Sequence, residues 1–263
     1  MSDGDQVLEE ALARLAERRV LLVATDLDGA LAEFTQDPEA TVPAPGGMEA
    51  LRGLAAMPDT HVAVVSGRDV ETLVRLTGVG RSEPVVLIGS HGAESNRPEV
   101  APDGALDADQ RRLLDELVEQ MAELIDRHPH SRLERKGGAV AVHTRGLPEQ
   151  DAEAALAEAV RLGDGRPDVR VMRGKSVVEL SVSHADKGTA VLALARSVRA
   201  DATLYCGDDV TDEDAFSALD PARGDLTVKV GSGETAATHR VDDVDSVVRL
   251  LQRVESLRAQ AGG

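Results

Sequence analysis

The sequence predicts an α/β protein: a doubly wound, Rossmann-like parallel sheet forms the core, and a smaller α+β domain is inserted into it. Short unbroken apolar runs alternate with segments whose apolar residues recur at helical spacing, which is typical of a parallel sheet buried on both faces. This alternation stops after residue 89 and resumes near residue 183. We therefore predict a core of residues 1–106 and 183–263, with an inserted domain over 107–182.

The first part of the core alternates helices and strands along the chain. Each predicted strand is a compact apolar run, and each predicted helix has apolar residues on one face. In chain order, we expect a helix over 7–16, a strand over 20–25, a helix over 48–57, a strand over 61–65, a helix over 70–76 and a strand over 85–88. A segment rich in Gly, Pro and Asp follows, so the domain boundary is placed near residue 106.

The predicted insert differs from the core because its strands follow one another without intervening helices. In chain order, we expect a helix over 108–127, strands over 131–134 and 139–143, a helix over 148–162, and two further strands ending near 182. The core pattern then returns with a helix after Lys187, strands over 203–206 and 226–230, and a last helix over 244–257. This returning pattern predicts a second βαβ-like segment.

The composition of the 263-residue chain limits its partners. A formal net charge of −18 disfavours nucleic acid and anionic membranes, so local cations must attract any anionic substrate. The single cysteine, Cys206, excludes an intramolecular disulfide, and its apolar run predicts a buried strand residue. The chain has no apolar leader and no apolar stretch of about 18 residues. We therefore expect a soluble, cytoplasmic monomer.

Acidic side chains follow two of the predicted strands. Asp26 and Asp28 come directly after the first strand, and Asp208, Asp209 and Asp212 follow the strand that contains Cys206. Ligands of open parallel sheets bind at the carboxyl ends of the strands. If the two strands are neighbours, the carboxylates repel one another strongly unless a cation lies between them, and hard oxygen ligands suit Mg²⁺. The sequence therefore predicts a magnesium site.

Two further polar residues lie at the ends of predicted elements of the core, as the acidic residues do. Ser66 ends the strand over 61–65, and Lys187 begins the helix after the insert. A hydroxyl, backbone N–H groups and an ammonium group can surround the oxygens of a phosphoryl group. Taken singly, each residue is more typical of a helix cap or a surface charge. Together with the two acidic segments, they indicate phosphoryl chemistry.

Two glycine-containing motifs do not support nucleotide binding. The "GKS" at 174–176 has Val169 where a P-loop requires its first glycine, and an apolar strand follows it instead of a helix. The "GSGETA" at 231–236 follows a strand, but too few residues remain after it for the rest of a dinucleotide-binding half. We interpret this second motif as a glycine-rich loop near the metal site.

Four motifs give the chain its resemblance to the haloacid dehalogenase (HAD) superfamily. They are "DLDGAL" from Asp26, Ser66, Lys187 and "GDDVTD" from Gly207, and they occur in the superfamily's order with a large insert in the expected place. Within it, the chain resembles the trehalose-6-phosphate phosphatases. The motifs that carry this second resemblance are "SGR" at 66–68, "GSHGAE" at 89–94, "ERKGGAVAVHTR" at 134–145, "GKSVVEL" at 174–180 and "GDDVTDEDAF" at 207–216.

The resemblance implies a role for each core motif. Asp26 would be the nucleophile, Asp28 the general acid and base, and Lys187 a third catalytic residue. Mg²⁺ would be held by Asp26, the backbone carbonyl of Asp28 and Asp208, with two more acids around this shell. Phosphate would be bound by the segment after the second strand. The two acids around the metal shell would be Asp209 and Asp212. The implied substrate contacts after the second strand are Ser66, Gly67 and Arg68.

The resemblance also makes the insert a cap, or lid, that recognises the sugar of a small sugar phosphate. Its implied substrate contacts are Lys136, His143, Arg145 and Glu179, and those of the core loop are His91 and Glu94. The chain has no Trp, one Tyr and two Phe, so recognition should depend on hydrogen bonds more than on stacking. A trehalose-6-phosphate synthase is the implied functional partner.

The chain departs from the family pattern in two places. Ala30 stands where the first motif usually has Thr, and Ser181 with Val182 stands where these phosphatases commonly have Arg-Pro. Alternatives to trehalose 6-phosphate hydrolysis therefore stay open at this stage: a phosphatase of another phosphorylated disaccharide or pseudodisaccharide, a phosphomutase, or a non-catalytic sugar-phosphate-binding homologue. A dehalogenase is disfavoured because its chemistry has no need of Asp28.

Overall fold

The computed structural model describes residues 3–35, 37–97, 106–135, 137–174, 176–183 and 185–261. The chain divides into two compact units. The first unit is formed by Met1–Asp103 together with Asp186–Gly263, and the second by Gly104–Ala185. The functional division into a core and a lid over 107–182 stays a prediction.

The helices and strands are as follows. Before the insert lie α1 (Asp3–Ala16), β1 (Leu21–Thr25), α2 (Gly47–Ala55), β2 (Thr60–Val65), α3 (Val70–Thr77), β3 (Val85–Gly89) and β4 (Glu94–Ser95). The insert contains α4 (Ala108–Arg127), β5 (Arg132–Arg135), β6 (Ala139–His143), α5 (Glu149–Gly163), β7 (Arg170–Gly174) and β8 (Val177–Ser181). After it come α6 (Lys187–Ser197), β9 (Ala202–Gly207), α7 (Asp212–Ala218), β10 (Leu226–Val230), β11 (His239–Val241) and α8 (Val244–Ala261). Among the described helices, none has both the length and the apolar character needed to cross a membrane.

The first unit is built on a seven-stranded sheet in the order β11-β10-β9-β1-β2-β3-β4. Its strands pair in parallel except for the short β4, which runs antiparallel to β3. The central strand β1 pairs with β2 on one side and β9 on the other. The carboxyl ends of these three strands therefore lie side by side, and the α/β sheet predicted from the sequence is confirmed.

Hydrophobic clusters cover both faces of this sheet. Leu21 and Val23 of β1 belong to the cluster shared with α2 and α8, whereas Leu22 and Ala24 belong to the cluster shared with α6 and α7. Successive side chains of a strand point to opposite faces, so both sets become buried. This explains why the sequence of β1 is continuously apolar and does not alternate.

The second unit is an α+β structure, as predicted. Its four strands form an antiparallel sheet in the order β5-β6-β8-β7. Val140, Val142, Val178 and Leu180 of the two central strands pack in one buried cluster with residues of α4 and α5, such as Leu117. The alternate side chains of the same strands therefore lie on the face away from the two helices.

Two strands of the large sheet are absent from the sequence prediction. The strand β4 has two residues and β11 has three, and both lie at the edges of the sheet. Their residues include Glu94, Ser95 and Arg240, which are not typical of strand interiors. Pairing with β3 and β10 forms these strands, and apolar periodicity does not reveal it.

Candidate active site

The pairing of β1 with β9 brings the two acidic segments together. Thr25 and Cys206 are register partners, and the backbone N–H of Asp26 donates to the carbonyl of Cys206 at 2.8 Å. Just beyond these strand ends, Asp26, Asp208 and Asp212 each offer a carboxylate oxygen, and these oxygens lie within 4.8 Å of one another. Asp26 and Asp208 therefore converge as the sequence predicts, but the third carboxylate of the group is that of Asp212, whereas the sequence predicts Asp28.

Two glycines allow this close approach. Gly29 has a φ of +78°, and a Cβ at this position would overlap the carboxylate of Asp208. A Cβ at Gly207 would overlap the side chain of Asp212 in the same way. The backbone after β1 and the end of β9 can thus approach the carboxylates only because both positions lack a side chain.

Lys187 is the cation at the centre of the cluster. Its Nζ lies 2.7 Å from Asp26 Oδ2 and 2.8 Å from Asp212 Oδ1, and the side chain is only 1% exposed. Lys187 is the first residue of α6, whose start is fixed by a capping box between Asp186 and Thr189. The helix cap therefore places the ammonium group between two buried carboxylates.

Asp212 organises the loop that precedes α7. Its Oδ1 also accepts from the hydroxyl of Tyr205 at 2.7 Å, and its Oδ2 accepts from the backbone N–H groups of Asp208 and Asp209 at 2.8 and 3.0 Å. Asp209 is different, because half of its side chain is exposed and its Oδ1 accepts from the N–H and hydroxyl of Thr211. Asp212 is thus buried inside the cluster, and Asp209 lies at its rim.

The cluster has more negative than positive charge. Burial raises the pKa of Asp26 to about 8 against the opposing charge of Lys187, and burial together with Asp212 raises the pKa of Asp208 to about 6. Burial works against the charged form of Lys187, yet Asp26 and Asp212 raise its pKa. Carboxylates that resist ionisation in this way are stabilised by a cation. Because every donor is a hard oxygen, the residues fit Mg²⁺.

Asp28 is paired with Arg68. The guanidinium Nε donates to Asp28 Oδ2 and Nη2 donates to Asp28 Oδ1, both at 2.6 Å. Nη2 also donates to the hydroxyl of Thr41 at 2.9 Å. The hydrogen bond to Asp28 raises the pKa of Arg68. The family resemblance implied Asp28 as the general acid and base and Arg68 as a substrate contact, and the structure adds that the two side chains contact each other.

The other predicted substrate residues of the core lie after β2 and β3. Ser66 is buried, and its hydroxyl accepts from the N–H of Arg68 at 3.2 Å, while the ring of His91 lies over Gly67. Glu94 accepts from the hydroxyl of Ser90 at 2.8 Å and from the N–H of Val70 at 3.1 Å. Glu94 therefore braces the loop after β3 against the start of α3.

Two of the predicted sugar-binding residues, His143 and Glu179, lie on one face of the sheet of the second unit. Glu134 and Glu179 are both register partners of Ala141, on opposite sides of β6, so they share a face of the sheet. The His143 ring Nε2 lies 2.5 Å from Glu134 Oε2 on the same face. Arg145 follows β6. Lys136 lies outside the described residues.

Three residues of the site were missed by sequence reasoning. Thr41 contacts Arg68, Tyr205 contacts Asp212, and Lys229 donates a hydrogen bond from Nζ to the carbonyl of Asp208. The sequence did contain a signal for Lys229, since it lies within the apolar run of β10 and a charged residue is rarely buried without a partner. In the structure, Lys229 is 5% exposed. Cys206 is fully buried in β9, as predicted, and burial raises its pKa to about 12.

Comparison with known sequences identifies relatives over most of the chain. The model of the trehalose-phosphatase family matches residues 24–245. The chain is 30% identical over 237 residues to a trehalose-6-phosphate phosphatase of Escherichia coli, covering 89% of this chain and 86% of the relative. It is 34% identical over 247 residues to a bifunctional trehalose-6-phosphate synthase/phosphatase of Thermoproteus tenax. That match covers 91% of this chain and only 32% of the relative, so this chain spans about a third of the longer protein.

Comparison with solved structures gives the same fold. The C-terminal domain of a Candida albicans trehalose-6-phosphate phosphatase superposes with a TM-score of 0.72 at 24% identity, covering 95% of this chain and 96% of that one. A haloacid dehalogenase-like hydrolase of Bacillus subtilis superposes with a TM-score of 0.56 at 17% identity, covering 88% and 98%. At these identities the likeness concerns the fold, which is HAD-like.

Proposed function

Since this chain belongs to the trehalose-phosphatase family, we propose that it hydrolyses trehalose 6-phosphate to trehalose and inorganic phosphate. The observation that carries the proposal is the meeting of Asp26, Asp208 and Lys187 at the carboxyl edge of the sheet, within the matched residues 24–245. A nucleophilic carboxylate beside a cation is suited to phosphoryl transfer. The fold alone does not specify this reaction, so the site residues have to account for it.

In the first half of the proposed reaction, Asp26 is the nucleophile. One of its carboxylate oxygens attacks phosphorus, and the bond between phosphorus and the sugar oxygen breaks. Asp28 gives its proton to that leaving oxygen, which releases trehalose and leaves a phosphoryl group on Asp26. The hydrogen bonds of Asp26 to the N–H of Leu27 and to Lys187 support this role, because they fix its carboxylate in one orientation.

In the second half, water replaces the sugar. Asp28, now ionised, takes a proton from water while the water oxygen attacks phosphorus. The bond from phosphorus to Asp26 breaks, and phosphate leaves. The Arg68 guanidinium supports this step because its two hydrogen bonds hold the Asp28 carboxylate in one orientation, as a positioned base requires.

The remaining core residues bind the phosphate and a metal ion. Ser66 and Lys187 would donate to the phosphoryl oxygens, with Gly67 and Arg68 beside them. Asp26, the carbonyl of Asp28 and Asp208 would hold Mg²⁺, supported by the outer acids, Asp209 and Asp212. When bound, the ion supplies positive charge that offsets the repulsion between the nucleophile and the phosphate.

Sugar recognition is assigned to the second unit. Glu179 and His143 support this proposal because they share one face of its sheet with Glu134. Hydroxyl groups of a disaccharide pair well with such carboxylate and imidazole groups. Arg145 and Lys136 are proposed to contribute further hydrogen bonds, and closure of the unit would exclude water.

A second candidate is a phosphatase of another phosphorylated disaccharide or pseudodisaccharide. The observation that favours it is Ser181, the last residue of β8, which replaces an Arg that is common in the family at this position. Its hydroxyl donates to the carbonyl of Gly138 at 3.2 Å, so it is used within the second unit. A shorter side chain at this point would alter the set of sugar contacts.

A panel assay tests the proposal. Phosphate release is measured from trehalose 6-phosphate, sucrose 6-phosphate, glucose 6-phosphate and an aryl phosphate, each with Mg²⁺ and with chelator. We expect trehalose 6-phosphate to have the highest kcat/KM and chelator to stop the reaction. Highest activity on a different disaccharide phosphate would support the second candidate. Phosphate transfer between sugar positions without release would identify a phosphomutase, and inactivity on the whole panel would contradict the enzyme assignment.

Partner and location form part of the same proposal. The Thermoproteus tenax relative is a bifunctional synthase/phosphatase, which supports functional coupling of this chain to a trehalose-6-phosphate synthase. We further propose a cytoplasmic monomer. Size-exclusion chromatography with light scattering, alone and with a synthase, measures both oligomeric state and association.

A further inference from the structure

A polar cavity lies near the amino-terminal end of the strand β9, whereas the candidate active site lies beyond the carboxyl end of the same strand. Its volume is about 290 Å³, and three arginines line it: Arg196, Arg199 and Arg223. Thr203, near the start of β9, also lines the cavity, whereas Asp208 follows the end of that strand. At roughly 3.3 Å per strand residue, the five residue steps from Thr203 to Asp208 span roughly 16 Å. The cavity is therefore separate from the carboxylate cluster.

The three arginines are exposed to solvent at the mouth of the cavity, and among the described residues none is their side-chain partner. Across the described ranges of the chain, none of their guanidinium groups forms an ion pair or a side-chain hydrogen bond. The acidic residue of the lining, Asp225, uses its two carboxylate oxygens to accept from the backbone N–H groups of Thr203 at 2.8 Å and Asp220 at 3.0 Å. The lining thus holds three positive charges and one negative charge.

A purely structural role explains only part of this arrangement. Arg196 lies in the last turn of α6, where a cation interacts favourably with the helix dipole. Arg223 lies instead in the short turn Pro221–Arg223, which belongs to a different part of the chain. Three like charges around one cavity repel one another, and the net charge of −18 shows that acidic residues are abundant elsewhere. Arginines such as Arg52 and Arg253 do pair with acids.

We propose that this cavity binds a small molecule that carries one or more phosphate groups. Guanidinium groups bind phosphate oxygens through paired hydrogen bonds, and arginine is preferred for this purpose over lysine. The volume is at the lower end of the range for small-ligand sites, which favours a compact ligand over a macromolecule. The proposal concerns binding away from the carboxylate cluster and stands independently of the proposed hydrolysis.

The cavity is connected to the candidate active site by the helix α6. Lys187 is the first residue of this helix, and Arg196 lies in its last turn. The strand β9 and the helix α7 make the same connection. Thr203 in β9 and Leu219, directly after α7, line the cavity, whereas Asp208, directly after β9, and Asp212, the first residue of α7, belong to the cluster. A ligand held by Arg196 therefore contacts the element that carries Lys187, which suits an effector site.

Binding can be measured without turnover. Metal-free, ¹⁵N-labelled protein in chelator is titrated with inorganic phosphate and with pyrophosphate while backbone amide signals are followed by NMR. We expect the signals of Thr203, Arg223 and Gly224 to shift saturably. The signals of Gly29 and Asp208 report the candidate active site separately, so failure at one site is distinguishable from failure at the other.

Charge-matched variants decide whether the arginines form the site. The triple variant R196Q/R199Q/R223Q should bind at least about tenfold more weakly at the cavity, as expected for lost charged hydrogen bonds. The control variant R81Q/R111Q/R161Q replaces three other exposed arginines and so changes the net charge by the same amount. It should bind phosphate like the wild type. The lysine triple R196K/R199K/R223K should also bind weakly. Single variants, each checked for a native amide spectrum, replace any triple that does not fold.

Three outcomes would overturn the proposal. One is the absence of saturable shifts at Thr203, Arg223 and Gly224. Another is an equal loss of affinity in the cavity triple and the control triple, which would identify a general effect of net charge. The third is full affinity in the lysine triple, which would show diffuse attraction in place of a built phosphate site.

Discussion

The carboxylate of Asp28 and the guanidinium of Arg68 form a bidentate pair, with both hydrogen bonds at 2.6 Å. Replacing Arg68 by lysine keeps the charge and removes the two-point contact. We expect kcat/KM on trehalose 6-phosphate to fall about tenfold, since Asp28 loses one charged hydrogen bond that orients it. An aryl phosphate should lose less, because its leaving group needs less protonation. Equal losses on the two substrates would show that Arg68 acts on the phosphate and not through Asp28.

Asp26→Asn should abolish turnover and leave the fold intact. The change keeps the side-chain volume, removes the attacking charge, and leaves Lys187 paired with Asp212. We expect activity to fall by about a thousandfold or more. Steady-state kinetics measure the loss, and circular dichroism checks the fold. A variant that kept a tenth of wild-type turnover, with contamination excluded, would exclude Asp26 as the nucleophile.

Asp208→Asn should weaken Mg²⁺ binding much more than Asp209→Asn. Asp208 contributes a carboxylate oxygen to the cluster with Asp26 and Asp212, whereas Asp209 accepts hydrogen bonds from Thr211 at the rim. Removing a carboxylate ligand removes both a donor and a charge. Calorimetric titration of the two variants with Mg²⁺ is the measurement. Equal affinities in both would show that the metal is held elsewhere.

Glu179→Gln should affect the disaccharide substrate selectively. We expect kcat/KM on trehalose 6-phosphate to fall about tenfold to a hundredfold through the loss of a charged hydrogen bond, with little change on a small aryl phosphate. Ser66→Ala is the matched control, because a phosphate contact is common to both substrates and its loss should slow both reactions by similar factors. If Glu179→Gln slowed both reactions equally, the residue would act through folding or closure.

Arg258→Ala should lower the free energy of unfolding by about 3 kcal/mol. The buried guanidinium donates to the hydroxyl of Thr60 and to several backbone carbonyls, including those of Ala16 and Arg19. Its removal leaves buried acceptors unpaired. Denaturant unfolding is the measurement, and Arg253→Ala on the same helix is the control. Because Arg253 pairs with Glu9 at the surface, where solvent screens the pair, its removal should cost far less than the removal of Arg258.

The sequence predicts the strands of the core well where burial on both faces makes them continuously apolar. The strands β1, β3 and β9 have this property, and their ends locate Asp26 and Asp208. The edge strands β4 and β11 carry polar residues and depend on pairing with a neighbour, so periodicity does not find them.

Contacts between distant positions are the part of the site that the sequence does not predict. Asp28 was expected as the general acid and base and Arg68 as a substrate contact, but they are 40 positions apart, and only the pairing of β1 with β2 brings them together. Likewise, Lys229 reaches Asp208 because β10 neighbours β9. These contacts depend on strand order, which motif spacing along the chain does not specify.

The position of β1 between β2 and β9 has a consequence for synthesis on the ribosome. β1 is made early, but its neighbour β9 follows the whole insert and emerges only after residue 202. Until then, one edge of β1 has no partner, while the second unit, which is continuous in sequence, can already fold. Since domains generally fold as units during synthesis, the insert should acquire protease resistance in stalled nascent chains before the large sheet does.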